Sequence, residues 1–269
     1  MKQRILVGCI GVPVILVVLF VLPKPFTPAL VAILSVIGTF EALRAIGMNH
    51  PRIGLYTEIL ALLIPFWCYF GENILWARIA LLVYMILVFI ESFASRFKIH
   101  IERVGGGFFF ALIIAYGLSA IVRIGNMELR TSYIFLPIIL PFVVDAVAMI
   151  TGMFLGKHQL APVLSPKKTV EGALGGFIGG IVICMIYGIA FHFITGVTVN
   201  YYFLAVYGIL GGVMTEFGDL AFSYVKRTRK VKDFGHIFPG HGGVLDRFDS
   251  MVFCAPLIEM LILWLPAFK

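Results

Sequence analysis

The sequence predicts an all-α fold, a polytopic transmembrane helical bundle. Hydrophobic residues make up 61% of its 269 positions and charged residues 13%, against roughly 25% charged in an ordinary soluble domain. The apolar residues also gather into runs near the ~20 residues that a helix needs to cross a bilayer. In hydrocarbon the backbone N–H and C=O groups must be satisfied within the chain, and helices do this segment by segment.

Charges, glycines and prolines mark off about nine spans. The first, Ile5 to Leu22, follows Lys2 and Arg4 and stops at Pro23; it has no small-residue cleavage site and runs into another span, so it reads as a helix rather than a signal peptide. Phe26 to Ile46 ends at Gly47, Leu55 to Gly71 at Glu72, and Leu75 to Ile90 at Glu91. Gly107 to Ile124 follows the charged Glu102-Arg103 pair, and Ser132 to Leu155 precedes Gly156-Lys157. Ala173 to Thr195 stops at Gly196, Tyr201 to Leu220 runs into a cationic stretch, and Met251 to Phe268 closes the chain. Residues 1–106 are expected to be scaffold helices offering a homodimer contact. Residues 107–269 are expected to form the catalytic region, with loops 156–172 and 221–250 on one face.

Alternate loops must fall on opposite sides of the membrane. One side collects sixteen of the 21 Lys and Arg residues, including Lys2, Arg4, Lys167, Lys168 and the cluster from Lys226 to Arg247. The cation-rich side is the cytoplasmic one under the positive-inside rule. The N-terminus and the polar loops are therefore expected in the cytoplasm, and the chain in the plasma (inner) membrane. Cys9, Cys68, Cys184 and Cys254 fall singly in separate apolar segments, which indicates neither a disulfide framework nor a thiolate metal site.

A charge near the centre of a span costs roughly 2.5 to 3.5 kcal/mol, so ionisable residues there are informative. Glu41, Glu58 and Glu259 read as packed or interface-seeking side chains. Glu216, Asp219 and Ser223 differ, because spacings of three and four put them on one helix face, which continues into Lys226 and Arg227. Gly172, Gly176 and Gly180 form one i, i+4 stripe, Gly175 and Gly179 another, and Gly208 and Gly212 a third; these read as close helix packing.

The stretch from Ser223 to Asp249 is unlike the rest of the chain. It combines six cations, five before a Pro239-Gly240-His241-Gly242-Gly243 turn and Arg247 after it, with Asp233, Asp246 and Asp249. Pro239 cannot continue a helix. The glycines allow positive φ and close backbone approach, so successive N–H groups can cradle an anion. Asp246 and Asp249 follow at i, i+3. Mg²⁺ is usually held by one or two carboxylates together with substrate phosphates, which makes Asp219 and Asp246 the expected metal ligands, with room for a second cation. Arg229 and Lys230 read as an ordinary orientation signal.

The run Ser223-x-x-Lys226-Arg227-x4-Lys232-Asp233-x5-Pro239-Gly240-His241-Gly242-Gly243-x2-Asp246-Arg247-x-Asp249 closely resembles the signature of the CTP:phosphatidate cytidylyltransferases, the CDP-diacylglycerol synthases. Gly218-Asp219-Leu220, Ser165-Pro166-Lys167-Lys168-Thr169-x-Glu171-Gly172, and Asp145 followed by Gly152 and Gly156-Lys157 look like further blocks of that family. Phe222 stands where the family commonly has an acidic residue, and Met149 where an aromatic is common.

The resemblance implies that phosphatidate and CTP become CDP-diacylglycerol and pyrophosphate, with Mg²⁺, and no nucleic acid is expected as a partner. A phosphate monoester carries about −1.5 to −2 at pH 7; the lipid nucleophile is thus already anionic and needs charge neutralisation more than a base. Asp219, Asp246 and Asp249 are assigned to catalysis with Lys226 and Arg227. Ser223, Lys232, Asp233, His241, Gly242, Gly243, Arg247, Lys167, Lys168 and Asp145 are assigned to substrate binding, with His241 read as a hydrogen-bond donor to phosphate or a turn-stabilising residue. A Mg²⁺-dependent polyprenyl-phosphate sugar-phosphate transferase would need similar cytoplasmic aspartates. An organic-anion transporter would instead place its charges at the midplane in paired halves, whereas these cluster at one rim. Gly152-x3-Gly156-Lys157-His158 has the wrong spacing for a phosphate-binding loop of the soluble type.

Overall fold

A computed structural model of the chain describes residues 11, 13–48, 50–71, 74–96, 98–237 and 242–269. After a π-helical turn at Val17–Val21 come helices α1 (Phe26–Ala45), α2 (Pro51–Phe70), α3 (Ile74–Ala94), α4 (Ile101–Leu118), α5 (Ala120–Asn126), α6 (Arg130–Tyr133) and α7 (Leu136–Leu155). A small hairpin follows, β1 (Gln159–Ala161) and β2 (Ser165–Thr169), and then α8 (Val170–Thr195), α9 (Tyr201–Thr228) and α10 (Leu245–Trp264). The all-α membrane architecture is as expected. Seven helical stretches among the described residues are long and apolar enough to cross a bilayer, and they coincide with the second to eighth expected spans. Most of the first expected span lies outside the described residues. The ninth is α10, which carries Asp246, Arg247, Asp249 and Glu259 and stands outside that set of seven.

The polar loops hold more structure than the sequence suggested. Within 156–172 the chain forms the antiparallel hairpin, pairing Gln159 with Thr169 and Ala161 with Ser165. Strands of three and five residues, with Pro162 between them and Pro166 in the second, are too short to leave a periodic signature. At 221–250 the helix continues past the apolar span to Thr228, so Ser223, Lys226 and Arg227 are helical, as their shared face with Glu216 and Asp219 requires.

The chain divides into two units, residues 1–123 with 229–248, and residues 124–228 with 249–269. In the first, α1 packs on α2 and α4 around Ala42, Ala61, Ala111 and Ile114, all fully buried. Small residues set the spacing: a side chain at Gly107 would meet Leu43, and one at Gly38 would meet Ile114. Thr57 Oγ1 donates to Ile53 O at 2.7 Å and lies 3.3 Å from the Tyr84 hydroxyl. This satisfies polar groups where water is absent.

In the second unit the glycine stripes do what their spacing predicted. A methyl on Gly176 would strike Ala148 and Val144, one on Gly179 would strike Val147, and Gly180 and Gly208 face each other backbone to backbone. Helices α7, α8 and α9 therefore approach as closely as their backbones allow. The far end of this unit is tied by the C-terminus. Phe268 N donates to the Tyr133 hydroxyl at 2.9 Å, the Tyr207 hydroxyl donates to Leu265 O at 2.7 Å, and Lys269 N and Thr198 O are 3.0 Å apart. Rings of Tyr133, Tyr187 and Phe191 close around Phe268 with centroids 5.0 to 6.1 Å away. Cys68, Cys184 and Cys254 are free thiols.

Candidate active site

Two groups of polar side chains stand out, one in each unit. In the second unit the site grows from α9. Residues at spacings of three and four share a helix face, and Glu216 and Ser223 are buried on it with Asp219 and Lys226 half-buried, while Phe217 and Tyr224 point outward. Gly218 keeps this face close to α10: a side chain there would meet Asp249 O and Ser250 Cα.

Onto this face β2 delivers a lysine. Within β2 Lys167 is exposed and Lys168 turns inward, where its Nζ lies 2.6 Å from both Glu216 Oε2 and Asp219 Oδ2. Burial works against the ammonium, but the charges and hydrogen bonds of Asp219 and Glu216 outweigh it and hold Lys168 protonated, above the ordinary lysine range. Lys226 Nζ lies 3.8 Å from Asp249 Oδ2. Ser250 Oγ donates to Asp145 Oδ2 at 3.3 Å, and the charged groups acting on Asp145 are Lys168, Asp219, Asp249 and Glu216. Asp145, Glu216, Asp219 and Asp249 thus share one neighbourhood with Lys168 and Lys226. Arg227 is exposed and donates from Nε to Leu164 O at 3.1 Å, tying α9 to the hairpin.

The hairpin is itself anchored at its base. Thr169 caps α8 by accepting from Gly172 N at 3.1 Å, a common N-cap role for threonine. Glu171 accepts from Lys157 N at 3.0 Å and His158 N at 3.2 Å, and pairs with His158 Nδ1 at 2.6 Å. The Gly156-Lys157 and Ser165-to-Gly172 blocks therefore form one structural piece.

In the first unit, the chain returning to α10 wraps around Asp246. Its Oδ2 accepts from Phe234 N at 2.8 Å and Gly243 N at 3.0 Å. Gly242 holds φ at +83°, a region that L side chains avoid. Glu41, from α1, accepts from Val244 N at 3.0 Å and Leu245 N at 2.8 Å. Lys232 and Arg247 are exposed and Asp233 is half-buried. His241, with Pro239 and Gly240, lies outside the described residues.

Sequence reasoning missed three of these features. It treated Glu41 as a mere packed side chain, did not pair Lys168 with Glu216, and gave Ser250 no role. A carboxylate in an apolar run was the available signal for Glu41, but its partners are about two hundred residues away in sequence.

Among the described residues no three His, Cys, Asp or Glu side chains converge as a ready-made metal cage. The donor set instead offers carboxylates of the kind that hold Mg²⁺ jointly with substrate phosphates. The residues fit that ion.

A model of the Cytidylyltransferase family matches residues 2–265. The chain belongs to that family. Its cytidylyltransferase relatives include the phosphatidate cytidylyltransferase of Bacillus subtilis (strain 168), 34% identical over 97% of this chain and 97% of the relative. That of Rickettsia bellii (strain RML369-C) is 34% identical over 79% of this chain and 93% of its own length. That of Staphylococcus haemolyticus (strain JCSC1435) is 41% identical over 49% of each. For a cytidylyltransferase the departure at Phe222 has a packing account. Phe222 is 2% exposed and packs edge-on against Phe253 with centroids 6.1 Å apart.

Proposed function

We propose that this membrane cytidylyltransferase joins phosphatidate to CTP, releasing pyrophosphate and leaving CDP-diacylglycerol for phospholipid synthesis. The observation that carries this is the near full-length identity to a relative named for that reaction. A phosphate oxygen of the lipid bonds to the α-phosphorus of CTP, and the bond from that phosphorus to the oxygen bridging to the β-phosphate breaks.

Two polyanions must meet, so positioning and charge stabilisation dominate such a transfer. Lys226 and Arg227, on the α9 face, and Lys232 and Arg247, beside the Asp246 turn, are assigned to hold phosphates, with Gly242 and Gly243 offering backbone N–H groups and His241 a side-chain donor. Lys167 is likewise assigned to substrate binding. Lys168 neutralises Glu216 and Asp219 and orients them; Ser250 orients Asp145, and Asp249 supports Lys226. Ser223 and Asp233 are assigned to substrate contact. Asp219 and Asp246 are each assigned as a carboxylate that would hold Mg²⁺, and Asp145 would serve a second cation. Bound Mg²⁺ would neutralise phosphate charge and polarise the phosphorus–oxygen bond.

The excess of cations on one side of the spans supports a cytoplasmic site in the plasma (inner) membrane, and a homodimer formed through the N-terminal helices belongs to the same reading. The test is to incubate the purified protein in detergent with phosphatidate and each labelled nucleoside triphosphate, with and without Mg²⁺. A liponucleotide formed from CTP and dependent on Mg²⁺ is expected; no lipid-linked product from any nucleotide would overturn the reading.

A further inference from the structure

We infer that Glu41 is the positioning residue for Asp246, acting through the turn that starts α10; the inference rests on the catalytic reading of Asp246 given above. Glu41 is 2% exposed on an apolar helix, a place where a carboxylate is costly unless it is fully hydrogen-bonded. Its two oxygens are divided between two donors, with Oε1 accepting from Val244 N and Oε2 from Leu245 N. These amides open α10 and have no acceptor inside the helix, and a negative charge beside them also complements the helix dipole. The next amide back, that of Gly243, goes to Asp246. Three successive N–H groups are therefore shared between two carboxylates, Glu41 taking two and Asp246 one.

The glycines around the turn provide an independent observation. An added Cβ at Gly235 or at Gly243 would overlap the Glu41 carboxylate. Neither position has a positive φ, so what these glycines supply is room for Glu41 rather than unusual backbone conformation. Leu245 is 1% exposed and lies against Gly38, one turn before Glu41 on α1, which fixes the helix start against the same helix that carries the carboxylate. With Glu41 removed, the turn loses two ties and Asp246 loses the rigid frame that orients its carboxylate.

The test compares Glu41→Gln, Glu41→Ala, Gly235→Ala and the Gly235→Ala/Glu41→Ala double variant, purified in detergent. Glu41→Gln should lower kcat about tenfold or more, the usual scale for losing an outer partner of a metal-site ligand, with KM for phosphatidate within about twofold. Hydrogen exchange across residues 242–248 should lose protection in Glu41→Gln and Glu41→Ala while the other helices keep theirs. Gly235→Ala alone should also reduce kcat, but in the Glu41→Ala background it should cost nothing more, because the group it displaces is gone. Unchanged exchange at 242–248, or losses that simply multiply in the double variant, would overturn the role of Glu41. Asp246→Asn separates the two readings. Turnover surviving in that variant overturns the catalytic reading of Asp246, whereas lost protection in Glu41→Ala still supports the structural tie.

Discussion

Lys168 and Asp219, fifty-one positions apart in the chain, meet with Nζ and Oδ2 separated by 2.6 Å, and the same ammonium reaches Glu216 at equal distance. A hairpin lysine thereby neutralises a helix face that would otherwise hold adjacent carboxylates in a partly buried place.

Replacing Lys168 with Met should therefore harm both stability and turnover. The lysine and Glu216 side chains are 19% and 7% exposed. Leaving a buried carboxylate unpaired can cost about 3 kcal/mol, and the partial exposure here brings the expectation nearer ~2 kcal/mol. A lower unfolding temperature in detergent with nearly absent turnover is expected, and a wild-type melting curve would count against the pairing.

The same pair sets a pH dependence. The Lys168 ammonium titrates above its ordinary value, near about 10.4 for an unperturbed lysine. A raised lysine contributes stability that is fully present below the unfolded value and lost as pH rises through the folded one. Unfolding temperature should carry this contribution unchanged from neutral pH to about 10 and lose it above. Lys168→Met should lack that alkaline loss, and equal loss in both proteins would reject the assignment.

Asp246→Asn should abolish liponucleotide formation while lowering stability only modestly, since an amide oxygen can still accept from Phe234 N or Gly243 N. Asp246→Ala should destabilise more, leaving two buried donors unmet at about 1 to 3 kcal/mol each. Equal melting temperatures for the two variants would show that those hydrogen bonds matter little.

Where α8 and α9 touch, Gly208→Ala should be more damaging than its single methyl suggests. The new Cβ would face Gly180 O and the backbone of Ile181, and overpacking a tight contact costs about 1 to 3 kcal/mol. Gly196→Ala, strained by its φ of +73° but open to space, makes a useful comparison. If the Gly208 variant melts like wild type, the helices do not pack this closely.

Thr169→Ala removes the α8 cap and should cost about 1 kcal/mol. The hairpin that presents Lys168 ends at that cap, so KM for CTP should rise as the melting temperature falls. A change confined to stability would detach the hairpin from substrate binding.

Much of this was legible in the chain itself. Hydropathy runs located seven helices because lipid exposure acts on each helix separately. The glycine stripes announced the α7–α8–α9 packing because small residues four apart must face one way. The Glu216-Asp219-Ser223-Lys226 face followed from helical periodicity alone. The hairpin did not, because strands this short carry too few alternations to show. Its effect is large, since it decides that Lys168 rather than Lys167 enters the carboxylate cluster.

Membership of the membrane class, the span positions and the acidic-to-cationic face of α9 were thus determined by the sequence alone, since each depends on neighbours within a turn or two. Only the tertiary structure decided that Lys168 answers Glu216 and Asp219, that Ser250 reaches Asp145, and that Glu41 holds the amides of Val244 and Leu245. Those pairings join residues brought together by helix packing, and a buried charge takes whichever donor the packed fold presents to it, at a distance along the chain that no local pattern encodes.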